Sequence, residues 1–500
     1  MAPTATSGFL FLPLRHKGLF PSHPTDGSRR VRCYPLFRIT ISHLYMTSTS
    51  PAKNRASNDL IYGLNDRPAL KETIFAALQH LLAIFVAIIT PPLIISNALG
   101  FDVHTTGFLV SMSLFVSGIA TFIQCHRIGP IGTGLLCIQG TSFSFIGPII
   151  GAGMLGMVNG KLNVEMALSY IFTACMFASI VEMIVSRILP YTRKIITPLV
   201  SGIVVTLIGM SLIKAGINSC GGGAEAQADG TFGSLTNLGL AALVLVLIVI
   251  FNRSGNRFLR MSSIVLGLLA GCVVAYFIGM IDFKSVTDYG GFYIPTPFKY
   301  GLHFDISAFI GLGLVYLITA IEAYGDVTAN SLISGEPIEG PVFMKRASGG
   351  ILADGFNSFL AAVFNSFPNS IFAQNNGMIQ LTGIASRYVG YYIAGALLLL
   401  GIFPAVGLVF SLMPAPVLGG ATLLMFGTVA AAGIRIIAST KINRKAVLVM
   451  AISFALGLSV EMVPDILAQM PETVRNIFSS GITTGGLAAI ISNALITIKE

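Results

Sequence analysis

Charge is what this sequence has least of. Only 10% of its 500 residues are Asp, Glu, Lys or Arg, against 54% hydrophobic, whereas a soluble domain carries about 25% charged residues. With so little to face water, most of the outer surface must face lipid, and the mean hydropathy of +0.81 agrees. The shortage excludes a cytosolic enzyme, a secreted disulfide scaffold and a disordered chain together. Cysteine is sparse as well. Cys33, Cys125, Cys137, Cys175, Cys220 and Cys272 stand apart with no CxxC spacing, so neither zinc nor a disulfide framework is indicated. Paired metal ligands, a nucleophile elbow and a P-loop are all missing at plausible depth, which argues against a membrane enzyme. Acids number 21 against 30 bases. In a soluble chain that excess would suggest nucleic acid; in a polytopic membrane protein it reports basic cytoplasmic loops, and no nucleic-acid partner is expected. Gly and Pro are plentiful, at 54 and 23, as they are in membrane helices.

Residues 1–45 hold six basic residues and a single acid, Asp26, and their short apolar piece is interrupted by Pro13. That piece neither spans a bilayer nor makes a clean signal sequence. The segment reads as a non-native or disordered leader, from an upstream start codon assigned in error or from a targeting extension, with Met46 opening a polar cytoplasmic tail, 46–71. From residue 72 onward about 14 stretches are long and apolar enough to cross a bilayer. They fall near 74–98, 105–124, 133–152, 164–186, 195–213, 236–251, 261–281, 306–328, 347–366, 371–389, 390–410, 416–437, 446–460 and 481–497. With the N-terminus inside, 19 basic residues from residue 46 onward fall on the inner side. Only Lys161, Lys214, Lys284, Lys299 and Arg475 fall outside. A missed span would invert everything after it, so this asymmetry supports an even count with both termini cytoplasmic.

Pro198, Gly202 and Gly209 recur in spacing as Pro416, Gly420 and Gly427. These sit on spans five and twelve, seven apart, and an odd repeat length turns the second copy upside down. Inverted repeats of this kind mark secondary transporters; the rival reading is recurring helix-packing glycine. Spans three and ten, again seven apart, are poor continuous helices. Span three carries Gln139-Gly140 and Pro148, and span ten Gln374-Asn375-Asn376-Gly377. Broken backbone cannot face lipid, so both breaks are expected to line a polar cavity. Half-helix N-termini there would point N–H groups at a ligand. The fold class predicted is an all-α polytopic protein, a 7+7 inverted repeat with spans three and ten broken.

Ionisable residues within spans cost about 2.5–3.5 kcal/mol each on insertion scales, so they usually serve function. Glu322 and Asp326 lie one turn apart on span eight, Asp354 on span nine, and His80 early in span one. A carboxylate at mid-membrane can accept a ligand's N–H donors and can carry a proton. Glu322 is the strongest candidate. Asp326 and Asp354 also read as residues that hold the fold together, and His80 as a neutral histidine bonded to its neighbours. Glu165 and Glu182 fall near span ends and are read as structural residues that reach water.

The run Gln374-Asn375-Asn376-Gly377 through Thr382-Gly383 fits the signature of the nucleobase–ascorbate transporters, also called nucleobase:cation symporter-2. Gln79-His80, Gly132–Gly140, Ile196–Gly202, Ser386–Gly390 and Pro416–Phe426 resemble the bacterial xanthine permeases of that family. The similarity runs from about residue 58 to 497 and leaves out the leader. What it implies is a core domain (72–190 and 304–411) moving against a gate domain (191–303 and 412–500) in an elevator-like cycle, in a homodimer of the bacterial inner membrane. It implies that Glu322 hydrogen-bonds the base, that Gln374 and Ala373 bind it from span ten, that Phe143 stacks on its ring and that Asn375 shapes the site. It implies coupling roles for Glu322, Asp326, Asp354 and His80. Gln at 374 favours xanthine or urate over uracil, since an amide both donates and accepts. Ser142 stands where some xanthine permeases have Asn, which puts a narrow xanthine preference in question. No resident cofactor or metal is expected. The co-transported ion would be a proton, with sodium open because Asp326 and Asp354 can ligate a cation. The rival functions are another nucleobase symporter, including one for uracil, and an anion exchanger on the same fold.

Overall fold

Within lipid an apolar run satisfies its backbone as a helix, and helices carry nearly every long apolar stretch of this chain. The computed structural model describes residues 60–192, 197–281, 291–471 and 480–497, with 474, 475 and 478. The leader 1–45, tail residues 46–59 and the charged positions Arg193, Lys194, Lys284 and Lys499 lie outside the described residues. The helices are α1 Leu70–Leu99, α2 Val103–His126, α3 Ile146–Met154, α4 Val164–Thr192, α5 Pro198–Cys220, α6 Gly223–Ala228, α7 Leu235–Arg253, α8 Arg257–Met261 and α9 Ser263–Phe277. They continue with α10 Ile306–Ile333, α11 Gly340–Val363, α12 Gln374–Thr382, α13 Arg387–Ile402, α14 Pro404–Ser411, α15 Ala415–Ala438, α16 Arg444–Met462 and α17 Gly481–Leu495. Four short strands complete the set: β1 Gln139–Thr141, β2 Met157–Val158, β3 Lys161–Leu162 and β4 Asn369–Ile371. Among the described residues eight helices are long and apolar enough to cross a membrane, or nine if the bent pair α13–α14 counts as one span.

Side chains set where helices begin. Asp102 accepts from the His104 and Thr105 N–H groups to cap α2, Asp305 accepts from Ala308 to cap α10, and Asn443 from Ala446 to cap α16. Each satisfies a first-turn donor that has no partner within its helix. In packing, α2 lies along α13, α11 along α4, and α5 along α15.

Several apolar stretches are not single helices. Residues 133–152 form β1, a tight turn at Phe143–Phe145 and α3, while 371–389 form the end of β4, α12 and the start of α13. The stretch 390–410 bends by 77° between α13 and α14. Proline disfavours helical backbone in the residue before it, and Phe403, preceding Pro404, is extended at φ −86°, ψ 110°. The hairpin β2–β3, pairing Met157 with Leu162, was not anticipated. Two-residue strands are too short to leave a periodic signal.

The described end of the tail is an anchored strap. Ile61 and Tyr62 N–H groups donate to the Gly383 carbonyl at 2.8 and 3.1 Å, Ala385 N–H to Tyr62 at 2.9 Å, and Ser386 Oγ to the Asp66 carbonyl at 2.6 Å. Gly383 itself sits at φ 71° as the cap of α12, a left-handed conformation that glycine adopts without steric cost.

Candidate functional site

Two three-residue strands meet in the interior, where their backbone has no water to bond. β1 and β4 pair antiparallel, Gln139 opposite Ile371, Gly140 opposite Ser370 and Thr141 opposite Asn369. The ladder extends at both ends, with Ser142 N–H donating to Pro368 and Phe372 N–H to Ile138. Irregular backbone is thus satisfied by its counterpart two hundred-odd residues away in sequence, as burial requires. The close approach needs Gly140, because a Cβ there would stand 2.6 Å from Ile88 Cγ1 and from the Phe372 ring. Each strand runs into a short helix, β1 through the Phe143–Phe145 turn into α3, and β4 through Ala373 into α12.

A polar scaffold surrounds this crossing. Asp354 on α11 is fully buried; its Oδ1 accepts from Gln139 Nε2 on β1, and its Oδ2 accepts from Ser370 Oγ on β4 at 3.2 Å. Asn357, one turn on, donates from Nδ2 to Gln139 Oε1. The Leu136 carbonyl accepts from two amides at once, Asn330 Nδ2 of α10 at 2.9 Å and Asn375 Nδ2 of α12. Asn375, expected to shape the site, is thus buried and tied to backbone, with its Oδ1 unpartnered and His80 beside it. His80 is fully buried on α1, and neither ring nitrogen has a hydrogen-bond partner among the described residues.

The remaining expected residues line the same region. α10 packs against both the Phe143–Phe145 turn and α12. Glu322 on α10 is half-buried, and its Oε2 accepts from Ser144 Oγ of that turn at 3.3 Å. Phe143 is buried edge-on to Phe426 of α15, ring centroids 5.5 Å apart at 84°. Gln374 opens α12, half-buried, and Ala373 just before it is exposed. Asp326, one turn beyond Glu322, is buried with Oδ2 unpartnered, and so is Asn376 Oδ1. Gly377 is exposed, while the Thr382 hydroxyl bonds back to the Met378 carbonyl at 2.9 Å. Asp354 is therefore bonded to both strands of the crossing, and Glu322 and Phe143 sit at the turn after β1. Asp326 lies one turn along α10, Gln374 opens the helix after β4, and His80 of α1 lies beside Asn375 of α12.

Residue reading missed Ser144, Ser370 and Asn357, since small polar residues inside spans are common and none stands out alone; Gln139, expected only as part of a break lining a polar cavity, is bonded to Asp354 and Asn357. It also misplaced Glu182. Helix α4 runs to Thr192, past the expected end at 186, so Glu182 is fully buried rather than near water. Among the described residues no three His, Cys, Asp or Glu side chains converge as a metal site, and both Asp354 oxygens are already engaged. A cavity of about 570 Å³ lies elsewhere, between α1, α9 and α14. Its lining, including Leu81, Phe85, Leu268, Val273 and Phe410, offers a base no polar edge.

The family described as "Permease family" (Xan_ur_permease) matches residues 71–466. The chain is 49% identical over 458 residues to "Xanthine permease XanP" of Escherichia coli (strain K12), covering 91% of this chain and 99% of that protein. It is 43% identical over 443 residues to "Xanthine permease XanQ" of the same strain, covering 89% and 95%. It is 33% identical over 428 residues to "Uric acid permease PucJ" of Bacillus subtilis (strain 168), covering 85% and 92%. Among solved structures, the transmembrane domain of the cyanobacterial bicarbonate transporter BicA superposes with a TM-score of 0.55 at 14% identity, covering 87% of this chain and 100% of that one. SLC26A9 does so with a TM-score of 0.55 at 12% identity, covering 86% and 66%. At those identities the likeness concerns fold alone. The chain belongs to the permease family of nucleobase–ascorbate transporters. It is a multi-pass membrane transporter and not an enzyme.

Proposed function

We propose that this permease imports a purine base, xanthine or urate, together with a proton across the bacterial inner membrane. The observation that carries the reading is that Glu322 and Phe143 sit at the turn leaving β1 while Gln374 opens the helix leaving its partner strand β4. A planar purine presents a π-face, which suits Phe143, and an edge of N–H and C=O groups. An ionised Glu322 only accepts, while Gln374 donates and accepts, so the pair reads an imide edge. The Gln374 side chain makes no hydrogen bond to other described residues, which leaves its amide for the ligand. The names of the xanthine and uric acid permeases point to the same substrate class.

The architecture proposed has 14 spans in two inverted halves. The packing supports it: exchange each helix for its counterpart seven spans away, and the α2–α13 contact becomes the α11–α4 contact. In this reading the core (72–190 and 304–411) carries the crossing and slides against the gate (191–303 and 412–500) within a homodimer, both termini cytoplasmic. The Phe143–Phe426 contact then joins core to gate and must part as the core moves. One co-transported proton gains about 2.3 kcal/mol per 100 mV of membrane potential, enough for roughly 40-fold accumulation at ~1.4 kcal/mol per decade.

The test is uptake of labelled xanthine by cells expressing residues 46–500, with and without a protonophore, competed by urate, hypoxanthine and uracil. Protonophore-sensitive uptake blocked by xanthine and urate is expected, with Glu322→Gln abolishing uptake at normal membrane expression. Sodium-dependent uptake that survives the protonophore would replace the coupling ion. Uracil competition would move the substrate class, and chloride-dependent exchange without base uptake would overturn the reading.

A further inference from the structure

Glu182 is an acid in the interior that the transport reading leaves without a task. It lies fully buried on α4, and its Oε1 accepts from Thr319 Oγ1 of α10 at 3.5 Å. No donor reaches Oε2 among the described residues. Helix α4 packs tightly on α11 at this level, where a Cβ at Gly355 would stand 3.0 Å from the Ser179 carbonyl and from Met183 Cγ, and this packing sets the Glu182 carboxyl beside that of Asp354. From α10 the neighbouring titratable groups are Glu322 and Tyr316, whose hydroxyl donates to the Cys175 carbonyl at 3.2 Å. No Lys or Arg pairs with Glu182 or Asp354 among the described residues, where the ion pair seen is Arg346–Glu336.

Two ionised carboxylates cannot bond to each other, since each can only accept. Side by side without a counter-ion in a medium of low dielectric they repel strongly. One of the two therefore holds a proton, and the hydrogen bonds identify it. Both Asp354 oxygens already accept from donors, Gln139 Nε2 and Ser370 Oγ. Glu182 Oε2 has no donor and an acceptor opposite it.

We propose, building on the reading of the site above, that Glu182 is a resident carboxylic acid whose O–H donates to the Asp354 carboxylate. It is a positioning residue: it fixes Asp354, and Asp354 fixes β1 through Gln139 and β4 through Ser370. The proton is resident because Glu182 is fully buried, whereas Glu322 keeps part of its surface exposed. Glu182 thus differs in kind from the residues assigned to coupling. A neutral glutamine replaces it faithfully, with an N–H in place of the O–H, while leucine keeps the bulk and removes the donor.

The test uses the full chain in two assays, xanthine uptake across pH and infrared spectroscopy of the purified protein. Glu182→Gln is expected to keep uptake within about threefold of the parent with an unmoved pH profile. Glu182→Leu is expected to lose more than about tenfold, the loss of one hydrogen bond to a charged acceptor. The parent should show a protonated-carboxyl carbonyl band that does not respond to external pH and that vanishes in Glu182→Gln. A pH profile flattened or displaced in Glu182→Gln would mean that this proton is cycled, and overturns the proposal. So would parent-like uptake by Glu182→Leu. If the parent takes up no xanthine, the purine reading fails by itself and the infrared band decides this inference: its loss in Glu182→Gln supports it, its persistence refutes it.

Discussion

Ser144→Ala isolates a single hydrogen bond at the proposed site. Ser144 Oγ donates to Glu322 Oε2 at 3.3 Å, and no other side-chain donor engages Glu322 among the described residues. Hydrogen bonds to charged groups contribute about 1.5–3 kcal/mol net. At 3.3 Å this one is longer than the 2.5–3.0 Å usual for O–H···O, so about 1 kcal/mol is the better figure, close to a fivefold effect at ~1.4 kcal/mol per decade. The hydroxyl aims the carboxylate by donating to it and does not titrate. Its removal should therefore raise the half-saturating xanthine concentration about fivefold and leave the maximal rate and protonophore sensitivity nearly unchanged. Ser142→Ala is the control. Ser142 Oγ accepts from Ser144 N–H at 3.4 Å and makes no described contact with Glu322, so an effect below about twofold is expected. Initial-rate uptake over a range of xanthine concentrations, normalised to surface expression, makes the measurement. A Ser144→Ala variant indistinguishable from the parent would show that the hydroxyl does not orient Glu322. One as dead as Glu322→Gln would show that the turn at Phe143–Phe145, not the single bond, had been lost.

The recurring glycines make a second pair of variants. A Cβ at Gly209 would lie 2.3 Å from the Ala430 backbone nitrogen, whereas Gly427 has nothing within 4 Å. Gly209→Ala should therefore lower detergent-solubilised thermal stability by the equivalent of about 1–3 kcal/mol, with Gly427→Ala unchanged; equal effects would refute the packing assignment. Asp102 supplies a pH test outside the spans. Partial burial raises its carboxyl, but the Thr105 and His104 donors outweigh this and hold it below the usual carboxylate range. A depressed folded-state value means that its capping stability is full above the unfolded value, about 3.9, and is lost as pH falls through the folded one. Thermal stability measured below about pH 4 should thus fall more steeply for the parent than for Asp102→Asn; parallel curves would remove Asp102 from the cap.

How much of this was legible depends on what kind of signal each feature leaves. Gln139-Gly140 and Gln374-Asn375 drew attention because polar residues are costly at membrane depth, and β1 and β4 form at or just before them. The long apolar helices were visible too, but their edges were not. Polar side chains near span ends say nothing about whether the helix continues, so α4 overran its expected limit and Glu182 went from the rim to the interior. Ser144 and Ser370 were invisible for another reason. A serine inside a span is cheap, and only the fold brings each within reach of a carboxylate. The recurring glycines are not equivalent in the fold: Gly202 and Gly420 both sit at helix crossings, but of the pair Gly209 and Gly427 only the first is required by packing.

Asn375 shows why a motif residue and a ligand contact need not be the same thing. Its amide donates to Leu136, the carbonyl that Asn330 also reaches, so it joins α12 and α10 to the approach of β1. Asp354 performs the same service one layer back, through Gln139 and Ser370. In a dry interior a polar group is costly unless paired, and the Asn375 amide nitrogen and both Asp354 oxygens are paired with the protein itself. Glu322 has one long hydrogen bond, and Gln374 has none among the described residues. Both are half-buried. Recognition falls to the groups the scaffold leaves with spare donors and acceptors, which is why Glu322 and Gln374 should govern which base is carried. Asn375 and Asp354 should instead govern whether the site is assembled at all. On that division Asn375→Ala should depress uptake of every accepted base by a similar factor, while a change at Gln374 should alter their rank order. Competition profiles for xanthine, urate and hypoxanthine measured on both variants distinguish the two roles, and a reordered profile for Asn375→Ala would refute the division.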